Sequence, residues 1–247
     1  MDAFAKVEAV YEKFGAEEPY YAVLSYDEYK QDNLDAEQFF RTGEELIDER
    51  LQAIADFPFQ LDPNRALDFG CGVGRLTNAL GRHFDEVIGV DISSTMIENA
   101  NKLRRCDNCQ FVVNKQEDLS LFRDEHFSFI YSDITIQHIP SPASENYIRD
   151  FVRILKPGGL ALFLVPDGPS HLQGSLPARV DKFYREQFKP FYKRIRGKHE
   201  VQIHRLAQQR IAQLVSESGG RLLRTEPHAR WANRPKRYKP LYYWVTK

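Results

Sequence analysis

From residue 65 onward the chain alternates two kinds of segment, and that alternation limits the folds open to it more than any other feature. RALDFG, EVIGVDI, CQFVVN, FSFIYSDI and LALFLV are short apolar runs with a β-branched or aromatic bias. Between the first runs lie GRLTNALGRHF and STMIENANKLRR, and before the last lies SENYIRDFVRIL, each with apolar residues at three- and four-residue steps. Strands that alternate with amphipathic helices pack as a parallel sheet with helices on both faces. Lys156-Pro157-Gly158-Gly159 is expected to stop the third of these helices and turn the chain into LALFLV.

The flanks are less regular. Residues 1–60 read as a largely helical cap with a loop around EEPYYAVLS, and residues 61–247 as the main domain. Residues 201–217 read as a further amphipathic helix ended by Gly219-Gly220, with RLLRTE and YYWVTK as closing strands. Residues 167–200 are long and mixed for a plain connection, which suits a lid or a partner surface.

None of the 247 residues belongs to an apolar run long enough to span a bilayer, and the N-terminus alternates charged with apolar residues. The expectation is a soluble, cytoplasmic protein. Cys71, Cys106 and Cys109 give an odd thiol count, which fits a reducing compartment and argues against a disulfide scaffold. Cys106 and Cys109 lack a second ligand pair for zinc, so no metal site is expected. The net charge of −1 conceals a polarity: residues 1–179 hold 17 Lys+Arg against 30 Asp+Glu, and residues 180–247 hold 17 against 5. A basic C-terminal third can face the acidic remainder or solvent, or attract an anionic acceptor.

The first strand ends in LDFGCGVG. Glycines at 70, 72 and 74 allow backbone N–H groups to approach a ligand that side chains would block. A dinucleotide fingerprint wants its third glycine at position 75, which is Arg75, and a P-loop wants Gly-Lys-Ser/Thr, which is absent. Asp68, two residues before the first glycine, would repel a pyrophosphate and welcome a cation. Asp91, at the end of the next strand, stands where an acid accepts hydrogen bonds from a ribose diol. The loop therefore asks for an adenosine-like ribose and a positive group without phosphates.

LDFGCGVG, VIGVDISSTMI, FSFIYSDITIQHIP and LKPGGLALF, in that order and spacing, resemble four motifs of the class I S-adenosylmethionine-dependent methyltransferases, over roughly residues 65–165. The resemblance implies a Rossmann-like, doubly wound seven-stranded α/β sheet, mostly parallel with an antiparallel last strand, and S-adenosyl-L-methionine as cofactor. It implies that Asp68, Gly70, Cys71, Gly72 and Gly74 line the methionine portion and that Asp91 holds the ribose. By the same resemblance Ile92 and Met96 pack near the adenine, Gln116, Glu117 and Asp118 approach its edge, and Ser132 is a further cofactor-binding residue. Lys115 stands where the family often has an aspartate.

Methyl transfer needs alignment and an unprotonated acceptor. His138, just past the fourth strand, is the candidate base, and Asp167, just past the fifth, its partner or an acceptor ligand. His171 is a weaker rival, and Tyr20 and Tyr21 would cover cofactor and acceptor from above. The expected reaction is methylation of a hydroxyl, or less readily an amine, of a small metabolite or sugar, with an anionic acceptor suited to the basic segment. Two rivals are an RNA methyltransferase using the basic C-terminal third and a non-catalytic S-adenosylmethionine-binding module. No RNA-binding module is visible, and SDIT replaces the motif usual in nucleic-acid members.

Overall fold

The computed structural model describes residues 3–17, 19–24, 35–168, 203–228 and 239–247. Three N-terminal helices, α1 (Ala3–Glu17), α2 (Pro19–Leu24) and α3 (Ala36–Ala55), precede the sheet. There follow β1 (Arg65–Phe69), α4 (Arg75–Leu80), β2 (Glu86–Asp91), α5 (Ser94–Lys102), β3 (Cys109–Val113) and β4 (Phe127–Ser132). A 3-10 turn, Ile136–His138, leads to α6 (Ala143–Ile154), β5 (Leu155–Asp167), α7 (Gln208–Glu217), β6 (Arg221–Pro227) and β7 (Lys239–Thr246).

The sheet has seven strands in the order β3-β2-β1-β4-β5-β7-β6. Strands β1 to β5 pair in parallel, and β7 runs antiparallel to both β5 and β6. The parallel, doubly wound core is the one the alternating segments imply, and the antiparallel last strand is the one the family resemblance implies. Successive residues of a strand point to opposite faces, so a strand covered on both sides must be apolar throughout. LALFLV meets that condition: Leu160, Leu162 and Leu164 join a core with Ile47 of α3 and Leu76 of α4, whereas Ala161, Phe163 and Val165 join a core with Phe151 of α6 and Leu214 of α7. Burying side chains of this size contributes about 1.5–3 kcal/mol each.

Three local expectations are corrected. EEPYYAVLS was expected as a loop, but Pro19–Leu24 of it is helical, with proline at the first helical position where its missing N–H goes unneeded. The helix expected over 201–217 begins only at Gln208: Leu206 bridges to Asp167, and the Asp167 carboxylate accepts the Gln208 N–H at 3.3 Å, so the helix can start only after that bridge. Lys156-Pro157-Gly158-Gly159 does not separate helix from strand. Helix α6 stops at Ile154, Leu155 already pairs with Phe127, and the ladder resumes at Leu160 with Phe129, so the four residues form a bulge inside β5. Among the described residues no helix is long and apolar enough to cross a membrane.

Candidate active site

In an open parallel sheet the ligand crevice lies beyond the strand C-termini where the order reverses, here between β1 and its neighbours β2 and β4. A cleft of about 950 Å³, taken out to its solvent mouth, lies there. Its floor is the turn after β1. Gly70 and Gly72 adopt φ of +80° and +53°, a region costly for residues with a Cβ. A Cβ on Gly70 would lie 2.2 Å from Thr135, and one on Gly72 2.6 Å from Val23 of α2. The glycines thus let two other segments close over the loop.

Asp91 ends β2 in the cleft. Its Oδ2 accepts the Gly72 N–H at 2.9 Å and its Oδ1 accepts the Ser93 N–H at 3.0 Å. Burial pushes its carboxyl above the usual range, and these N–H donors act the other way. Asp68 is 1% exposed, and its Oδ2 accepts the Thr77 hydroxyl at 2.7 Å. Burial raises its pKa to about 7 against the pull of Thr77 and the Arg75 guanidinium. Such a group is poised to respond to a cation beside it.

Of the expected cofactor residues, Asp68, Gly70, Cys71, Gly72, Asp91, Ile92 and Met96 line the cleft, and so does His138. Gly74, Gln116, Glu117, Asp118 and Ser132 do not. The Ser132 hydroxyl donates to the Phe69 carbonyl at 3.0 Å, tying β4 to β1. Gln116 contributes its carbonyl, which accepts from the cleft-lining Tyr147 hydroxyl. Glu117 is exposed, and Asp118 accepts the Ser120 N–H. Asp167 is spent on the start of α7 and lies outside the cleft lining. Tyr20 packs against Phe39 with ring centroids 4.6 Å apart instead of facing the cleft. The Tyr21 side chain, His171 and residues 169–200 of the expected lid lie outside the described residues. His138 sits at the end of the 3-10 turn, its Nε2 3.0 Å from the Gln137 amide nitrogen and its ring 6.1 Å from that of Tyr11. The thiols of Cys106 and Cys109 donate to the Asn78 and Thr77 carbonyls of α4, an arrangement that ties the β3 approach to that helix, and no cluster of three or more metal-ligating side chains occurs among the described residues.

Helix α1 was not foreseen as a wall of the site. Phe4, Val7 and Tyr11, one helical face, line the cleft. One turn-mate, Glu12, accepts from the N–H groups of Ser94 and Thr95 and from the hydroxyls of Ser93 and Thr95, at 2.6–3.1 Å. Partial burial opposes ionisation, but these donors win and bring Glu12 down to about 2. Lys115 pins the same helix through Glu8 at 2.7 Å. The periodicity of α1 is visible in the sequence, but its docking partner, some 80 residues away, is not. Glu12→Ala is expected to lower stability by about 1–2 kcal/mol, measured by urea unfolding. Because a depressed carboxyl stabilises only while ionised, the loss should be full at pH 7 and vanish as pH falls toward 2.

With this geometry in view, comparison with known proteins is informative. Residues 66–159 match the family model described as a methyltransferase domain. The chain is 31% identical over 106 residues to a ubiquinone biosynthesis O-methyltransferase of Coxiella burnetii, a match covering 42% of this chain and 44% of that one. The chain thus spans less than half the length of the curated relative. Among solved structures, an S-adenosylmethionine-dependent methyltransferase of Leishmania major superposes with a TM-score of 0.67 at 14% identity, covering 100% of this chain and 87% of the other. The magnesium protoporphyrin IX methyltransferase of Synechocystis PCC 6803, which holds bound S-adenosylhomocysteine, gives 0.60 at 16% identity, covering 98% and 99%. The fold and the matched motifs define a Rossmann-like methyltransferase domain. Over residues 66–159 the chain is similar to methyltransferase domains, and its fold is that of S-adenosylmethionine-dependent methyltransferases, whose cofactor is S-adenosyl-L-methionine.

Proposed function

We propose that this protein transfers a methyl group from S-adenosylmethionine to a hydroxyl of a small molecule. The observation that carries the reading is the pairing, across one cleft, of Asp91 at the end of β2 with His138 beyond β4. The fit to the cofactor is chemical. Asp91 offers carboxylate lone pairs to a ribose diol, Ile92 and Met96 offer apolar contact to a purine, and Asp68 offers charge to the α-ammonium group of the methionine portion.

Bound S-adenosylmethionine supplies an electrophilic methyl group. The protein's own work is alignment and proton removal. Aligned reactants gain the equivalent of about 7–11 kcal/mol from pre-paid entropy, and the apolar face of α1, with Phe4 and Val7, helps to exclude water. His138 accepts the proton of the acceptor hydroxyl at Nε2, in exchange for its contact with the Gln137 amide. A hydroxyl, whose proton must leave, gains from such a base where a thiolate would not. The O-methyltransferase similarity of the Coxiella burnetii protein points the same way.

The test is His138→Ala. Turnover should fall by about 10²- to 10⁴-fold while the affinity for S-adenosylhomocysteine, read by calorimetry, stays within twofold. Unchanged turnover would remove His138 from the base role; no heat with S-adenosylhomocysteine on the unmodified protein would remove the cofactor reading itself.

A further inference from the structure

Asp133 follows β4 directly, is half-buried and lines the cleft. Its Oδ1 accepts the hydroxyl of Tyr242 at 2.8 Å. Tyr242 is fully buried on β7, with the Arg50 guanidinium 4.3 Å from its ring centroid. The next residue, Ile134, has φ of +57° and also lines the cleft. A β-branched residue in the left-handed region is strained by about 1–2 kcal/mol, and such strain persists only where the surroundings fix it. Here Tyr242 holds one side of the turn, and Thr135 is seated on Gly70 at the other. The turn is therefore a built feature that aims one carboxylate into the site.

The order β2-β1-β4 says what that carboxylate meets. Neighbouring strands stand about 4.8 Å apart, so Asp91 and Asp133 are separated by two strand spacings, about 10 Å. With the ribose at Asp91, a cofactor laid across β1 toward β4 would bring its sulfur end to the Asp133 side. We infer that Asp133 recognises the charge of the sulfonium and that Tyr242 is its positioning residue. This rests on the cofactor reading above. Asp68 and Asp91 cannot take this part, since Asp91 is engaged by two backbone N–H groups at the ribose end and Asp68 lies deep beside Thr77. The consequence is discrimination: with Asp133 beside the sulfur the cleft holds the cationic substrate more tightly than the neutral thioether product, which favours exchange of one for the other after each turnover.

Calorimetry with S-adenosylmethionine and S-adenosylhomocysteine on the full chain tests this without an acceptor. Asp133→Asn keeps the size and an acceptor for Tyr242. It should reduce the affinity ratio of the cation over the neutral product by about tenfold, the size of one unit charge several ångströms away in a partly buried site, while S-adenosylhomocysteine affinity stays within twofold. Tyr242→Phe keeps the charge and should change the ratio by no more than about threefold. Should the asparagine variant fail to fold, Asp133→Ser carries the same expectation. An unchanged ratio in a folded Asp133 variant, or an equal fall in Tyr242→Phe, overturns the inference while leaving the cofactor reading intact. Failure of the unmodified protein to bind either compound overturns the cofactor reading instead.

Discussion

Replacing Asp91 by alanine is expected to weaken S-adenosylhomocysteine binding by a hundredfold or more. The carboxylate sits at the C-terminal end of β2 with both oxygens already oriented, one by the Gly72 N–H and one by the Ser93 N–H. A ribose diol adds two donors to this acceptor, and each hydrogen bond to a charged group contributes about 1.5–3 kcal/mol. Losing both amounts to about 3 kcal/mol or more, which is over two decades in affinity. The substitution also frees the Gly72 and Ser93 N–H groups and loosens the glycine loop. Unfolding is not the expected cause, because the carboxyl is buried against its own desolvation, which raises its pKa. Asp91→Asn separates the parts: it keeps one acceptor oxygen and should recover about half of the lost binding energy. The measurement is calorimetric titration alongside a thermal melt. A loss below threefold in a folded variant would mean that the diol is held elsewhere.

The sequence makes the sheet legible because its signal is local. A strand covered on both faces must be apolar or have its polar groups satisfied: LALFLV is apolar throughout, and FSFIYS departs only at Ser128 and Ser132, whose hydroxyls donate to the Arg65 and Phe69 carbonyls, and at the Tyr131 hydroxyl. The glycine loop and Asp91 are legible for a similar reason: a turn that needs positive φ and an acid at a strand end both leave marks within a few residues. What fails to appear is everything made by distant pairs. Asp167 stands past a strand end, where acids in such folds meet ligands, yet its carboxylate starts α7. Ser132 has the right position and faces the neighbouring strand instead of the cleft. Tyr20, read as a cover, belongs to a small cluster with Phe39, while Val23 of the same helix reaches the glycine loop. Glu12, Tyr11 and Tyr242 act on the site across separations of about 80 to 127 residues, with no local pattern to announce them. The bulge at Lys156-Pro157-Gly158-Gly159 shows the converse: a strong local stop signal was overridden because Leu155 could already pair with Phe127.

The affinity for S-adenosylhomocysteine is expected to climb with pH up to about 7 and then level off, with Asp68 responsible. Burial raises this carboxyl from the ordinary 3.8 to about 7, helped by the charges of Asp91 and Asp133 and opposed by Thr77 and Arg75. In the proposed complex Asp68 faces the α-ammonium group, which the thioether product keeps and which favours the ionised carboxylate, so below pH 7 each unit of acid should weaken binding by up to about tenfold. The same group sets a stability slope of opposite sense. Between about pH 4 and 7 the folded chain holds a proton at Asp68 that the unfolded chain has released. Stability from this group is therefore full below pH 4, declines as pH rises and is spent above 7. Three pKa units correspond to about 4 kcal/mol at most. Asp68→Asn retains an acceptor for the Thr77 hydroxyl and cannot ionise, so it should be more stable than the parent by about 2–4 kcal/mol at pH 8 and nearly equal at pH 4. Its S-adenosylhomocysteine affinity should be low and flat with pH. Taking the difference between variant and parent removes what the other groups contribute to both. Parallel pH profiles for the two proteins, in binding and in urea unfolding, would mean that Asp68 does not titrate in this range and would overturn its part in the pH dependence.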